Sequence, residues 1–94
     1  MDQQKIRRHI IFRGRVQGVG FRWHARTFAS QTGLTGWVQN LEDGTVEMEV
    51  QGTKEKIQRL LDYMDSRQYV IIEKIESSLI PTVESEWTFH ERGW

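Results

Sequence analysis

The sequence predicts an α+β fold, an antiparallel sheet with two helices on one of its faces. Three features of the 94-residue chain carry this expectation. Two stretches place apolar residues at helical spacing, on either side of a central strand pair. The stretch TVEMEVQG alternates with period two, as a half-covered strand does. The remaining apolar runs are short and bounded by turn residues, as strands are.

Taken in order, IRRHIIFRG reads as a first strand over residues 6–13, although Ile6, Ile10, Ile11 and Phe12 alternate imperfectly. A glycine-rich loop follows. From Phe21 the period changes: Phe21, Ala25, Phe28 and Ala29 fall on one face of a helix, and Gly33 is a suitable stop. LTGWVQNL is a second strand, and Asp43-Gly44 is a hairpin signal. In TVEMEVQG, Val46, Met48 and Val50 face one way. Glu47, Glu49 and Gln51 face the other, which is expected to be wet. Thr53 can cap a second helix with Glu55 in its first turn. Ile57, Leu60, Leu61 and Met64 form that helix's apolar stripe. YVIIEKIESSLI supplies a fourth strand, and EWTFHE a short fifth with Trp87 and Phe89 on one face. The order βαββαβ plus a terminal strand is the ferredoxin-like sandwich, expected to form a single domain over residues 1–94.

Lys plus Arg and Asp plus Glu both number 13, so the formal net charge is zero and a general polyanion binder is disfavoured. With no cysteine, disulfides, thiolate metal sites and cysteine nucleophiles are excluded. The start MDQQKIRRHI lacks the apolar core of a signal peptide, and the longest apolar run, residues 69–72, is far too short for a bilayer. A soluble, cytoplasmic protein is expected, a monomer without nucleic-acid or membrane partners.

The loop GRVQGVGFRW carries the chemical question. Glycines let successive backbone N–H groups converge, and a helix start adds unsatisfied donors and partial positive charge. Arg22 would add a planar fork suited to a tetrahedral oxyanion. The loop alone leaves two readings open, an anion cradle or a tight turn beside a solvated arginine. It fits neither G-x-G-x-x-G nor the G-x-x-x-x-G-K-[ST] phosphate loop.

Three stretches in order, GRVQGVGFR, GLTGWVQN and DGTVE, resemble the acylphosphatase family, whose pattern runs V-Q-G-V-x-F-R, G-W-V-x-N and D-G-x-V. The resemblance implies metal-independent hydrolysis of the carboxyl–phosphate bond of small acyl phosphates, giving a carboxylate and inorganic phosphate. Arg22 matches the family's catalytic, phosphate-binding arginine, and Asn40 matches the asparagine that orients the attacking water. The amides of Arg15, Val16, Gln17, Gly18, Val19 and Gly20 match the phosphate cradle. No cofactor or metal is implied. The joint before the fourth strand, DSRQYVII, lacks the glycine and proline that family members often carry, which bears on loop geometry and acyl-group preference.

Other residues invite blander readings. His9, His24 and His90 lack metal-ligand spacing, and His24 is expected to point away from Arg22. Trp23, Trp37, Trp87 and Trp94 suit core or rim packing, and Arg13 and Arg15 suit solvated charge. The alternative function is a non-catalytic anion- or ligand-binding module of the same ferredoxin-like fold. An RNA-recognition domain shares the topology but stacks bases on aromatics of its central strands, where TVEMEVQG offers none.

Overall fold

The computed structural model describes residues 4–93. Its elements are β1 (Lys5–Arg15), α1 (Phe21–Thr32), β2 (Thr35–Asn40), β3 (Val46–Thr53), α2 (Lys54–Asp65), β4 (Ile71–Ile80) and β5 (Phe89–Arg92). The strands lie in the order β4-β1-β3-β2-β5. β1 pairs antiparallel with β3 and β4, and β2 antiparallel with β3. The fifth strand corrects the expected antiparallel sheet. β5 pairs parallel to β2, so the sheet is mixed. The cause is the return of the chain from β4, at one edge, to β5, at the other.

Both helices pack on the same face. Phe21, Ala25 and Ala29 of α1 and Ile57, Leu60 and Met64 of α2 join Ile10, Phe12, Val38, Val46, Met48 and Val50 of the sheet in one buried cluster. The helical stripes read from the sequence are the ones buried, with Phe28 and Leu61 at the margin. α1 ends at Thr32 with Gly33 as its cap. α2 starts on Thr53, whose hydroxyl oxygen accepts from the Lys56 amide at 3.3 Å. No helix among the described residues is long and apolar enough to cross a membrane.

The other face is not the wet surface expected. Segment 81–88 returns across it and closes over the outward side chains of β1 and β3. Gln51 donates to the Val83 carbonyl at 2.9 Å and accepts from the Val83 amide at 2.8 Å. Arg7 is only 2% exposed. It donates to Glu49 at 2.8 Å and to both oxygens of Glu86 at 2.7 and 3.2 Å. A cation this buried is tolerable only when its donors are met by carboxylates. Burial alone would lower the Arg7 pKa, and the bonds to Glu86 and Glu49 outweigh it. Burial would likewise raise Glu86, yet Arg7 holds it below the ordinary glutamate range.

Glu47 is also engaged rather than solvated, bonded to His9 at 2.8 Å and to Gln39 at 2.6 Å. The fifth strand begins at Phe89, which is buried, whereas Trp87 stays in the crossover, 84% exposed. Trp37 is buried under the Arg92 guanidinium, 4.0 Å from its ring, and Trp94 lies outside the described residues.

The joint that lacks glycine still needs a left-handed residue. Tyr69 supplies it, with φ of 73° and most of its side chain exposed. That conformation costs a non-glycine residue about 1–2 kcal/mol. Tyr69→Gly removes the strain but loosens the unfolded chain, so a net gain of about 0.5–1 kcal/mol is expected. Thermal melts should show a rise of a few degrees, and an unchanged or lower melting temperature would show that Tyr69 bears no such strain.

Candidate active site

The site is built where β1 gives way to α1. β1 bulges against β4 between Arg13 and Gly14, and the chain then turns through residues 16–20 into the helix. Gly18 and Gly20 take left-handed φ values of 74° and 77°. A Cβ at Gly18 would meet nothing, so backbone conformation alone calls for glycine there. Gly20 is the N-cap of α1. It has no side chain to cap the helix, and the first turn holds no acid. Neither a capping side chain nor a first-turn acid therefore takes up the start of α1, which is the positive end of the helix dipole and favours an oxyanion.

Two apolar anchors fix the loop from below. Val16 and Phe21 are buried, and the Phe21 ring packs against Phe12 at 4.9 Å. A third tie is polar. The Gln17 carboxamide donates to the Leu41 carbonyl at 2.7 Å and to the Thr45 carbonyl at 2.8 Å. Thr45 is in turn set by Asp43, whose carboxylate accepts from its hydroxyl at 2.6 Å and its amide at 3.0 Å. These bonds hold the Asp43 carboxyl below its ordinary range. Gln17 thus lashes the glycine loop to the β2–β3 turn, immediately beyond Asn40.

A cleft of about 270 Å³ opens at this junction, lined by Val16, Gly18, Gly20, Phe21, Arg22, Trp23, Asn40 and Glu91. Arg22 and Asn40, far apart in sequence, thus share one cavity. Arg22 stands in the first turn of α1, half-buried, and its Nη1 donates to the Arg92 carbonyl at 2.8 Å. Asn40 closes β2 opposite Val46 on the helix-facing side of the sheet. Its carboxamide makes no hydrogen bond to another described residue, so it can bind a small polar molecule in the cleft.

Of the expected cradle, Val16, Gly18 and Gly20 line the cavity. Arg15, Gln17 and Val19 do not. Arg15 ends β1, paired with Ile71, and Val19 packs against the core. The Gln17 side chain serves as a brace rather than a wall. Its bonding was not readable from the sequence, which shows a glutamine in the loop but not the carbonyls that it reaches. Glu91 was also missed. It lines the cleft and is paired with Arg26 at 2.8 Å, a contact between two helix- and strand-borne charges distant in sequence.

The histidines stand away from this chemistry. His9 binds Glu47 on the opposite face, and His90 is exposed beside Trp37 in the β5 register. The His24 ring lies between those of Trp23 and Tyr63 rather than in the cleft lining. Among the described residues, no group of three or more histidine or acidic side chains is placed to hold a metal ion.

A glycine loop, an uncapped helix start, an arginine and an asparagine meet around one cleft in a two-layer α+β domain, a set of donors suited to a small oxyanion. Comparisons with known proteins bear on the family. A family model described as acylphosphatase matches residues 8–90. An acylphosphatase of Geobacillus kaustophilus is 53% identical over 58 residues, which span 62% of this chain and 62% of that relative. One of Picrophilus torridus is 47% identical over 66 residues, 70% of this chain and 79% of the relative. The crystal structure of acylphosphatase from Bacillus subtilis superposes with a TM-score of 0.85 at 29% identity, covering 94% of this chain and 99% of that one. The chain belongs to the acylphosphatase family.

Proposed function

We propose that the protein hydrolyses the carboxyl–phosphate bond of small acyl phosphates, releasing a carboxylate and inorganic phosphate. The supporting observation is the convergence of Arg22, Asn40 and the loop residues Val16, Gly18 and Gly20 on one cleft at the N-terminus of α1. Membership of the acylphosphatase family supports the reaction class.

The division of labour follows from phosphoryl-transfer chemistry. The transition state is loose, with charge spread over the equatorial oxygens. The loop and helix amides, with the Arg22 guanidinium, are the donors for those oxygens, and fixed donors of this kind stabilise the charge as it develops. Asn40 accepts a hydrogen bond from water through its oxygen and can donate through its nitrogen, holding the nucleophile in line. Water attacks phosphorus, the bond from phosphorus to the acyl oxygen breaks, and the electron pair leaves on the carboxylate. The carboxylate is a good leaving group, so no general acid is required. Asparagine is too weak a base to take a proton from the water, so one proton passes to a phosphoryl oxygen while the other stays on the attacking oxygen, giving dihydrogen phosphate and the carboxylate.

Metal independence tests this function. Hydrolysis of benzoyl phosphate is expected to proceed at the same rate with excess EDTA as without it. Activity that collapsed with chelator and returned with a divalent ion would contradict the mechanism, and no hydrolysis under either condition would contradict the function.

A further inference from the structure

The cleft has a wall that phosphate binding does not use. Trp23 follows Arg22 in the first turn of α1, lines the cavity, and is 54% exposed. Its indole is nonetheless supported. The His24 ring meets it edge-on at 5.1 Å and meets Tyr63 at 6.3 Å, and Tyr63 stacks on Phe28 at 4.6 Å. Trp23 is the outer end of an aromatic row that runs from α1 onto α2. A large apolar surface kept open beside a polar cleft is a feature that a ligand can bury.

Charge narrows what that ligand can carry. Among the described residues, Arg22 and Glu91 are the charged ones lining the cleft, and the Glu91 carboxylate is already matched by Arg26. Beyond the phosphate cradle the described walls of the cleft therefore offer an apolar face and an acid, and no second cation. A phosphoryl group seated on the loop and Arg22 would leave its acyl group beside the residue that follows Arg22.

We infer that Trp23 forms the wall of an acyl subsite for an uncharged aromatic acyl group, and that Glu91 disfavours acyl groups bearing a second anion. The inference rests on the hydrolase function proposed above and adds its substrate preference. An acetyl group is too small to cover the indole, whereas a phenyl ring can stack on it or meet its edge. Succinyl phosphate would bring a second carboxylate toward Glu91, whose own carboxylate already takes up the nearby Arg26.

The test measures kcat/KM for benzoyl, acetyl and succinyl phosphate, with inorganic phosphate as competitive inhibitor. The wild type is expected to prefer benzoyl over acetyl, and acetyl over succinyl. Trp23→Ala should lower the benzoyl-to-acetyl ratio roughly tenfold, the scale of one lost apolar contact surface, while Trp23→Phe should largely preserve it. Glu91→Gln should narrow the gap between acetyl and succinyl. The Ki for phosphate in Trp23→Ala should stay within about twofold of wild type, because the indole contacts the acyl group rather than the phosphoryl oxygens. A ratio unmoved by Trp23→Ala, or a Ki that rises in step with the lost benzoyl activity, would overturn the subsite and leave the hydrolase function standing. A wild type that prefers succinyl would overturn the role of Glu91. A wild type that hydrolyses none of the three would overturn the hydrolase function itself.

Discussion

Asn40→Ala is expected to lower kcat for acyl phosphate hydrolysis by roughly a hundredfold or more, the scale of losing one positioned polar group in a transition state. The fold should survive. Asn40 ends a strand, is half-buried, and its carboxamide bonds to no other described residue, so its removal leaves no buried partner unsatisfied. Inhibition by inorganic phosphate should change little, because the proposed contact is to water rather than to phosphoryl oxygens. Steady-state kinetics beside a thermal melt separate the cases. Near-normal turnover in a folded variant would remove Asn40 from the chemistry, and a large rise in the phosphate Ki would reassign it to binding.

Arg22→Ala should cost more, roughly a thousandfold or more in kcat/KM, as expected for an arginine that stabilises phosphoryl charge. Arg22→Lys should recover only a minor part of this. Lysine keeps the charge but is a point donor, whereas the guanidinium fork can bridge two oxygens at once. Arg22 also ties α1 to the Arg92 carbonyl at the end of β5, so both variants need a melt to report any loosening there. Full activity in Arg22→Lys would mean that charge alone matters and that no fork is engaged.

What the sequence disclosed follows from how far each signal reaches. The helices α1 and α2 were legible because their burial is written in local period: Phe21, Ala25 and Ala29, then Ile57, Leu60 and Met64, are the side chains the sheet covers. Caps were legible for the same reason, Thr53 and Gly33 acting within a few residues of themselves. The direction of β5 was not, since strand pairing across the sheet leaves no local trace. Nor was the polar layer on the far face. Arg7 and Glu86 lie 79 positions apart, and neither residue announces its partner. Glu47 and Glu49 looked like solvated strand positions because alternation reports which way a side chain points, not what later segment covers it.

The site divides along the same line. The loop glycines, Arg22 and Asn40 stood out by residue type and by resemblance to a family pattern, and the fold brings them to one cavity. The Gln17 brace depends on carbonyls of Leu41 and Thr45, supplied by a turn more than twenty residues on. The left-handed Tyr69 was hidden because the sequence offers no glycine where the backbone needs one.

The most direct test of the oxyanion cradle is a thermal melt of wild type and Arg22→Ala across a titration of inorganic phosphate, with chloride at matched ionic strength as reference. Binding to the native state alone stabilises by RT ln(1 + [L]/Kd), about 1.4 kcal/mol at ten times Kd. For a domain of this size that corresponds to a rise on the order of 5–10 °C. The wild type should show this rise with phosphate and not with chloride, and Arg22→Ala should show little of it. A phosphate-dependent rise that persists undiminished in Arg22→Ala would place the anion elsewhere on the protein and contradict the site.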